Sequence, residues 1–400
     1  MIQWSGAFLS PEIYNFLPLP WHFFWVAHVI PFIIIICNLA IGNLWVKSIW
    51  DKVDQPLSFH KKGLASFFWF FLFITIAFNI YYFYKIPFTS TGLYKLFTSP
   101  LTAAIAREES LKLVPDFLIR YGYNLVRSVI APILAIIIVM LYLEKRKKVL
   151  NVLLYLSISI IGLLYILFVV SLTGARSGPA GVAFCVLVAV YISKGMPIKT
   201  RYVLIGFLVV LSFPVIITIL REGKDITMSS FFEYLFYLFN RVFVTPMRVG
   251  FWHMHYAQTN GIVGIGGVRP LALIFGVEYI YLANIIGLTY VDNPLATIHS
   301  DTGFFFDYYA CFGLYTVIIS IFLTFLLDLI LPILRRYKIL LIPLLSLIFF
   351  KTINFVESTY TVTLLTHGFL LIPVLIFFNI FLMQIGTSIK KLMLFIRIKR

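Results

Sequence analysis

Apolar runs of about 20 residues recur along the chain, most of them ended by lysines or arginines, and one helix needs that length to cross roughly 30 Å of hydrocarbon. In lipid the backbone must satisfy its own hydrogen bonds, so unbroken apolar runs of this length read as helices. With 61% hydrophobic and 12% charged residues, the 400-residue chain is too apolar for a soluble domain. Spans are expected at about 22–46, 63–84, 121–143, 149–172, 179–193, 202–220, 303–330, 339–356 and 362–385. The expected fold is an all-α polytopic membrane protein of nine to eleven transmembrane helices, a single membrane domain over 1–400. The first run, from near His22, lacks a basic leader and is followed by Lys47, so it is expected to stay as a span. Cys37, Cys185 and Cys311 fall inside apolar runs without metal-like or paired spacing, and read as small buried hydrophobes.

The net charge of +16 raises the question of a nucleic-acid partner, and the positions of the charges answer it. Alternate connections carry Lys47, Lys52, Lys61 and Lys62, then Lys145 to Lys148, then Lys194, Lys199 and Arg201. Arg335, Arg336 and Lys338 follow, and Lys390, Lys391, Arg397, Lys399 and Arg400 close the chain. Together these are more than half of the 32 basic residues, against only Asp51, Asp54, Glu144 and Asp328 among the acids. By the positive-inside rule the basic side is cytoplasmic, which places the N-terminus outside and the C-terminus inside. The charge reports topology, and no nucleic acid is expected.

One turn stands out, Thr173-Gly174-Ala175-Arg176-Ser177-Gly178-Pro179. The run before it is long enough to span, whereas from Pro179 to Lys194 there are about 15 residues, roughly 22 Å of helix. The turn is therefore expected below the membrane surface, in a recess. Pro179 suits the first position of a helix and Ser177 or Gly178 its cap. Free N–H groups beside a guanidinium make Arg176 a receptor for an anion, most simply a phosphate. The alternative is a tight hairpin whose Arg176 snorkels to the headgroups.

Two external stretches are expected. Residues 85–120 contain a segment, Ser99 to Leu118, that resembles a helix lying on the membrane surface. The larger, 221–302, is a long connection of the kind that tends to be functional. It holds Arg221, Arg241, Arg248 and Arg269, the histidines His253, His255 and His299, and a glycine-rich piece from Gly261 to Gly267 read as a flexible loop. Phe231 to Val244 and Pro270 to Leu288 are apolar enough to be interfacial or re-entrant. His253 and His255, flanked by Trp252 and Tyr256, read equally well as interfacial anchors. Lys351 inside the eighth span calls for a partner such as Glu357.

These features resemble the O-antigen polymerase (Wzy) family of integral membrane enzymes. The likeness rests on the Thr173–Gly178 turn, on the long external connection in the second half, and on the segment where that connection re-enters the membrane. That segment runs from Ser300-Asp301-Thr302-Gly303 to Asp307-Tyr308-Tyr309-Ala310-Cys311-Phe312-Gly313. The resemblance implies a membrane glycosyltransferase of GT-C-like architecture in the bacterial inner membrane, polymerising undecaprenyl-diphosphate-linked repeat units at the periplasmic face in lipopolysaccharide biosynthesis. It implies no cofactor or metal, the lipid bilayer and the lipid-linked oligosaccharide as partners, and a chain-length regulator protein beside them.

Such a reaction needs cations for a diphosphate leaving group and a base for an acceptor hydroxyl. Arg176, then Arg221 at the outer end of the sixth span, then Arg248 and Arg241, are the candidate phosphate-binding residues. His299 and Asp301 at the mouth of the seventh span are the candidate bases, with Asp307 further in. Ser300 or Asp301 reads alternatively as the N-cap of that span. An O-antigen ligase shares layout and leaving group and stays as an alternative. A flippase or transporter predicts two similar halves, which this chain lacks.

Overall fold

The structure, a computed structural model, describes residues 61–99, 114, 117–145, 152–174, 177–193, 227–290, 302–325 and 341–357, with scattered positions between 33–37, 212–225 and 368–377. The described residues are helical throughout their regular elements, with no strand among them. In chain order the helices are α1 (Lys61–Lys85), α2 (Gly92–Thr98), α3 (Phe117–Leu125), α4 (Ala131–Lys145), α5 (Val152–Ser171) and α6 (Ser177–Ser193). The second half supplies α7 (Met228–Phe239), α8 (Thr245–Asn260), α9 (Arg269–Phe275), α10 (Leu282–Tyr290), α11 (Phe304–Phe312) and α12 (Leu341–Glu357). Phe67–Lys85, Ile119–Leu143 and Phe305–Phe325 are long and apolar enough to cross a membrane, and Leu156–Ser171, Gly178–Ser193 and Ile342–Lys351 are shorter apolar helices. This is a helical membrane protein. The expected spans at about 22–46, 202–220 and 362–385 lie largely outside the described residues.

The bundle is built around Ile119–Leu143, which is far more buried than the other two long spans. Its lower part, α4, is Ile, Leu, Val and Ala on nearly every side, and a helix apolar all round belongs at the centre. Ile133, Leu134, Ala135, Ile136 and Ile137 are fully buried there. α1, α5, α6 and α12 pack around α4. Between α3 and α4 lies a π-turn, Val126–Ile130, and a second one, Asn240–Val244, joins α7 to α8. The two share a cause. Pro132 and Pro246 are each the second residue after their turn and have no N–H to give, so the ladder reaches back five residues instead of four, from Ala131 N to Val126 O and from Thr245 N to Asn240 O.

α5 and α6 form the expected hairpin, and α6 at 17 residues is about 25 Å long, short of a full crossing. The turn is anchored from outside its own hairpin. Gly174 takes φ +67°, and a Cβ there would lie 2.8 Å from Gly92 O, so the start of α2 and the turn meet backbone to backbone. Leu93 N donates to Leu172 O at 3.1 Å across this contact.

Three expectations change. The Gly261–Gly267 piece is an ordered corner, because Gly264–Gly267 forms a 3-10 turn that packs on Cys311 while Val263 N donates to Ala310 O at 3.1 Å. The cap of α11 is Gly303, so neither Ser300 nor Asp301 holds that position. The span expected as one helix over 303–330 is interrupted at Gly313–Tyr315, where Gly313 adopts φ 58°, ψ −135°, a conformation open in practice only to glycine.

Alanine at Gly174 and at Gly264 both force a side chain to positive φ, which costs about 1–2 kcal/mol. Only Gly174 also meets backbone, since nothing lies within 4 Å of a Cβ at Gly264. Gly174→Ala is therefore expected to lower the melting temperature of the detergent-solubilised protein distinctly more than Gly264→Ala. Equal losses would show that the turn is not packed on Gly92.

Candidate functional site

Two places gather polar side chains that a membrane bundle does not hold without reason. The first lies where α3 enters the bundle. Arg120, Asn124, Arg127 and Ser128 recur at helical spacing along α3 and the π-turn, with Tyr123 beside them. The Arg127 guanidinium donates to the Thr173 hydroxyl, so the turn receives a cation from the central span. Thr173 is fully buried. On the neighbouring face Tyr123 stacks on Tyr82 of α1, with ring centroids 4.4 Å apart and planes 13° from parallel. Asn79, one turn below Tyr82, donates to Thr75 O at 2.8 Å and to Tyr165 Oη of α5 at 3.1 Å. Lys351 of α12, 1% exposed, comes within electrostatic reach of Arg127 and Cys185.

The second place joins the long connection to the helix that re-enters the bundle. His253 of α8 and Asp307 of α11 are buried, with Nδ1 4.0 Å from Oδ1, an ion-pair distance and longer than a hydrogen bond. Both helices are held in register around this pair. Thr302 donates to Pro246 O at 2.9 Å, and Gly250 lets the Phe306 ring lie directly on α8. His255, on the same helix, meets Tyr290 of α10 with Nδ1 2.5 Å from the phenol oxygen. The Tyr290 ring in turn stacks on Trp252 at 5.7 Å and 7°. Burial pushes the Tyr290 phenol above its ordinary pKa, partly offset by a hydrogen bond from Thr259, so it keeps its proton at neutral pH. The phenol can then donate to Nδ1, which puts the imidazole proton on Nε2.

The expected site residues are distributed unevenly over this frame. Arg176, Arg221, His299 and Asp301 lie outside the described residues. Arg241 sits in the second π-turn and Arg248 on α8, and both are exposed to the surroundings rather than turned into the bundle. His253 is 1% exposed, which rules out the interfacial-anchor reading for that residue; its place is inside the protein against Asp307. The Glu357 side chain expected beside Lys351 also lies outside the described residues.

No family model, no curated protein and no solved structure matches the chain. The site therefore has to be judged by its own chemistry. Among the described residues no group of three or more His, Cys, Asp or Glu is arranged to hold a metal ion. What the two places offer is a cationic, hydroxyl-rich wall in the bundle and a buried imidazole–carboxylate pair at the loop.

Sequence reasoning passed over Arg120, Asn124 and Arg127, although their spacing of four and three is a helical stripe that could have been read off directly. If the His253–Asp307 contact is energetic and not mere proximity, the two positions couple. His253→Gln and Asp307→Asn are expected to be non-additive by about 1–3 kcal/mol in a double-mutant unfolding cycle in detergent. Additivity within about 0.5 kcal/mol would sink the pair.

Proposed function

We propose that this protein is a membrane glycosyltransferase that polymerises lipid-diphosphate-linked glycan repeat units at the outer face of the bacterial inner membrane. The observation that carries the reading is the buried His253–Asp307 pair, because it is formed by the long connection and the re-entry segment, two of the three features on which the resemblance to O-antigen polymerases rests. The third feature, the Thr173–Gly178 turn, is met by an intramembrane guanidinium, that of Arg127.

In this reading Asp307 orients His253 and stabilises the imidazolium that forms, and His253 takes the proton of an acceptor sugar hydroxyl. The freed oxygen attacks the anomeric carbon of the donor, the new glycosidic bond forms, and the bond from that carbon to the diphosphate breaks. The diphosphate leaves with both electrons of that bond and needs cations beside it. Arg176, Arg221, Arg241 and Arg248 remain the candidates on the turn and the connection, and His299 and Asp301 remain alternative bases on the stretch leading to Thr302. Undecaprenyl diphosphate is the carrier this reading names, with a chain-length regulator as a protein partner.

Deleting the gene is expected to leave single repeat units on the lipid core with no longer chains. Loss of even that single unit would replace the polymerase with a ligase or a flippase. Reintroducing the gene with His253→Gln should fail to restore long chains at normal protein level, and full restoration would remove His253 from the chemistry.

A further inference from the structure

The protein leaves one side of α9 uncovered. Leu273, Ile274 and Phe275 are 73%, 74% and 64% exposed, and Val277 follows them at 44%. Four apolar side chains within five consecutive residues make a concentrated apolar surface of the kind that marks a contact with something else. The opposite side of the same element is packed, since Ala272 is fully buried and Val268 nearly so. The exposure is therefore one-sided and built in. α10, by contrast, turns Leu282, Ala283 and Ile286 inward, so of the apolar stretch Pro270 to Leu288 it is the first part that faces out.

The backbone fixes this presentation. Ile280 N donates to Gly266 O at 2.9 Å, which closes the base of an excursion from Val268 to Tyr281 on the ordered corner. α9 leads out from that base, Gly276 ends it in the left-handed region at φ 64°, and Val277 N donates back to Ala272 O at 2.9 Å. Nothing lies within 4 Å of a Cβ at Gly276, so the glycine is there for its backbone angle, at the point where the chain turns. The result is a finger with an apolar tip, Leu273 to Val277. Its only charges, Arg269 and Glu278, sit on the two limbs behind the tip, with Tyr279 and Tyr281 on the returning limb. The Arg269 guanidinium lies over the Tyr279 ring at 5.8 Å.

The root of the finger decides what meets its tip. Val263 N donates to Ala310 O, Gly267 packs on Cys311, and Ile262 lies against Gly313, all positions of the span Phe305–Phe325. From Gly313 onward that span turns Leu314, Tyr315, Ile318 and Phe322 outward, each more than half exposed, which is the surface a membrane helix gives to lipid. Ile262, 59% exposed, carries the same strip onto the corner. The finger thus leaves the protein beside a surface that already faces the bilayer. A partner in water would meet the tip and leave the adjoining strip to lipid, whereas one leaflet meets both. An arginine and two phenols behind an apolar tip also follow the order in which polarity falls from headgroups to acyl chains.

We infer that Val268–Tyr281 is a membrane-insertion finger, its tip from Leu273 to Val277 seated among the acyl chains of the adjoining leaflet, with Arg269, Tyr279 and Tyr281 at headgroup level. Because its root is bonded to α11, the finger ties the helix that carries Asp307 to the bilayer surface as well as to the span. The assignment does not depend on glycan transfer.

Full-length protein in nanodiscs of phosphatidylcholine and phosphatidylglycerol carries a nitroxide at Ile274→Cys on the tip, at Ile318→Cys on the lipid-facing strip, or at Gln258→Cys on the exposed polar end of α8, with the unsubstituted chain as background. Collision of the label with oxygen, which concentrates among acyl chains, is compared with collision with a water-soluble nickel chelate. Oxygen should dominate at Ile274 as it does at Ile318, and the ratio should invert at Gln258. All three side chains are exposed, so folding is expected to be kept, and equal melting temperatures check this. Dominance of the chelate at Ile274 would put the tip in water and overturn the finger. Shielding from both reagents would show a tip covered by protein and overturn it equally, with spin–spin broadening that fades on dilution with unlabelled chain naming a second copy as the cover.

Discussion

A guanidinium inside a membrane bundle has to be held by hydrogen bonds or it does not stay charged and buried, and the contact between Arg127 and Thr173 is where this protein meets that demand. The bond runs from the central span to the turn between α5 and α6, so it fixes which way the polar face of α3 points. A short α6 keeps the turn within reach of a side chain that starts two turns inside the span, and the glycines at 92 and 174 let α2 close over it without side chains in the way. Pro132 completes the arrangement by widening the helix into a π-turn where Arg127 departs, a feature often found at functional positions.

The second half of the chain solves a different problem, that of carrying a titratable pair at the edge of an apolar bundle. α8 is buried along most of its length, from Pro246 to Ala257, although its sequence is no more apolar than an ordinary amphipathic helix. It is buried because α11 and α10 lean on it, with the Gly264–Gly267 corner backing α11 in turn. The imidazole and the carboxylate thereby leave bulk water, while the aromatic surface of Trp252 and Tyr290 gathers around His255 on the same helix.

Much of the bundle was legible in the sequence, and for physical reasons. Apolar length and the alternation of basic connections are imposed by the bilayer, so the helices at 61–85, 119–143, 152–171, 177–193 and 341–357 come out within a few residues of expectation. The short α6 followed from counting residues after Pro179, whereas the space that Gly174 leaves is taken by the backbone of Gly92, which no count of residues reveals. Contacts between distant segments were not legible. His253 and Asp307 are 54 positions apart in sequence, and Trp252 and Tyr256 beside the histidine carry the same signature as a membrane-interface anchor. Arg127 is one arginine in a stretch, 121–143, that is otherwise uncharged and mostly apolar, so hydropathy alone does not set it apart from the span. The interruption at Gly313 was invisible for the opposite reason: both sides of it are apolar, and hydropathy does not register a backbone angle.

That interruption has a mechanical consequence. With the helix cut after nine residues, α11 and the stretch after it are two rods joined at a glycine, and the first rod is fastened to α8 by Thr302 and Phe306 and to Val263 by Ala310, more firmly than to α12. Asp307 thus rides with the loop. Any motion at Gly313 carries histidine and carboxylate as a single body, while the helices packed on α4 keep their own arrangement.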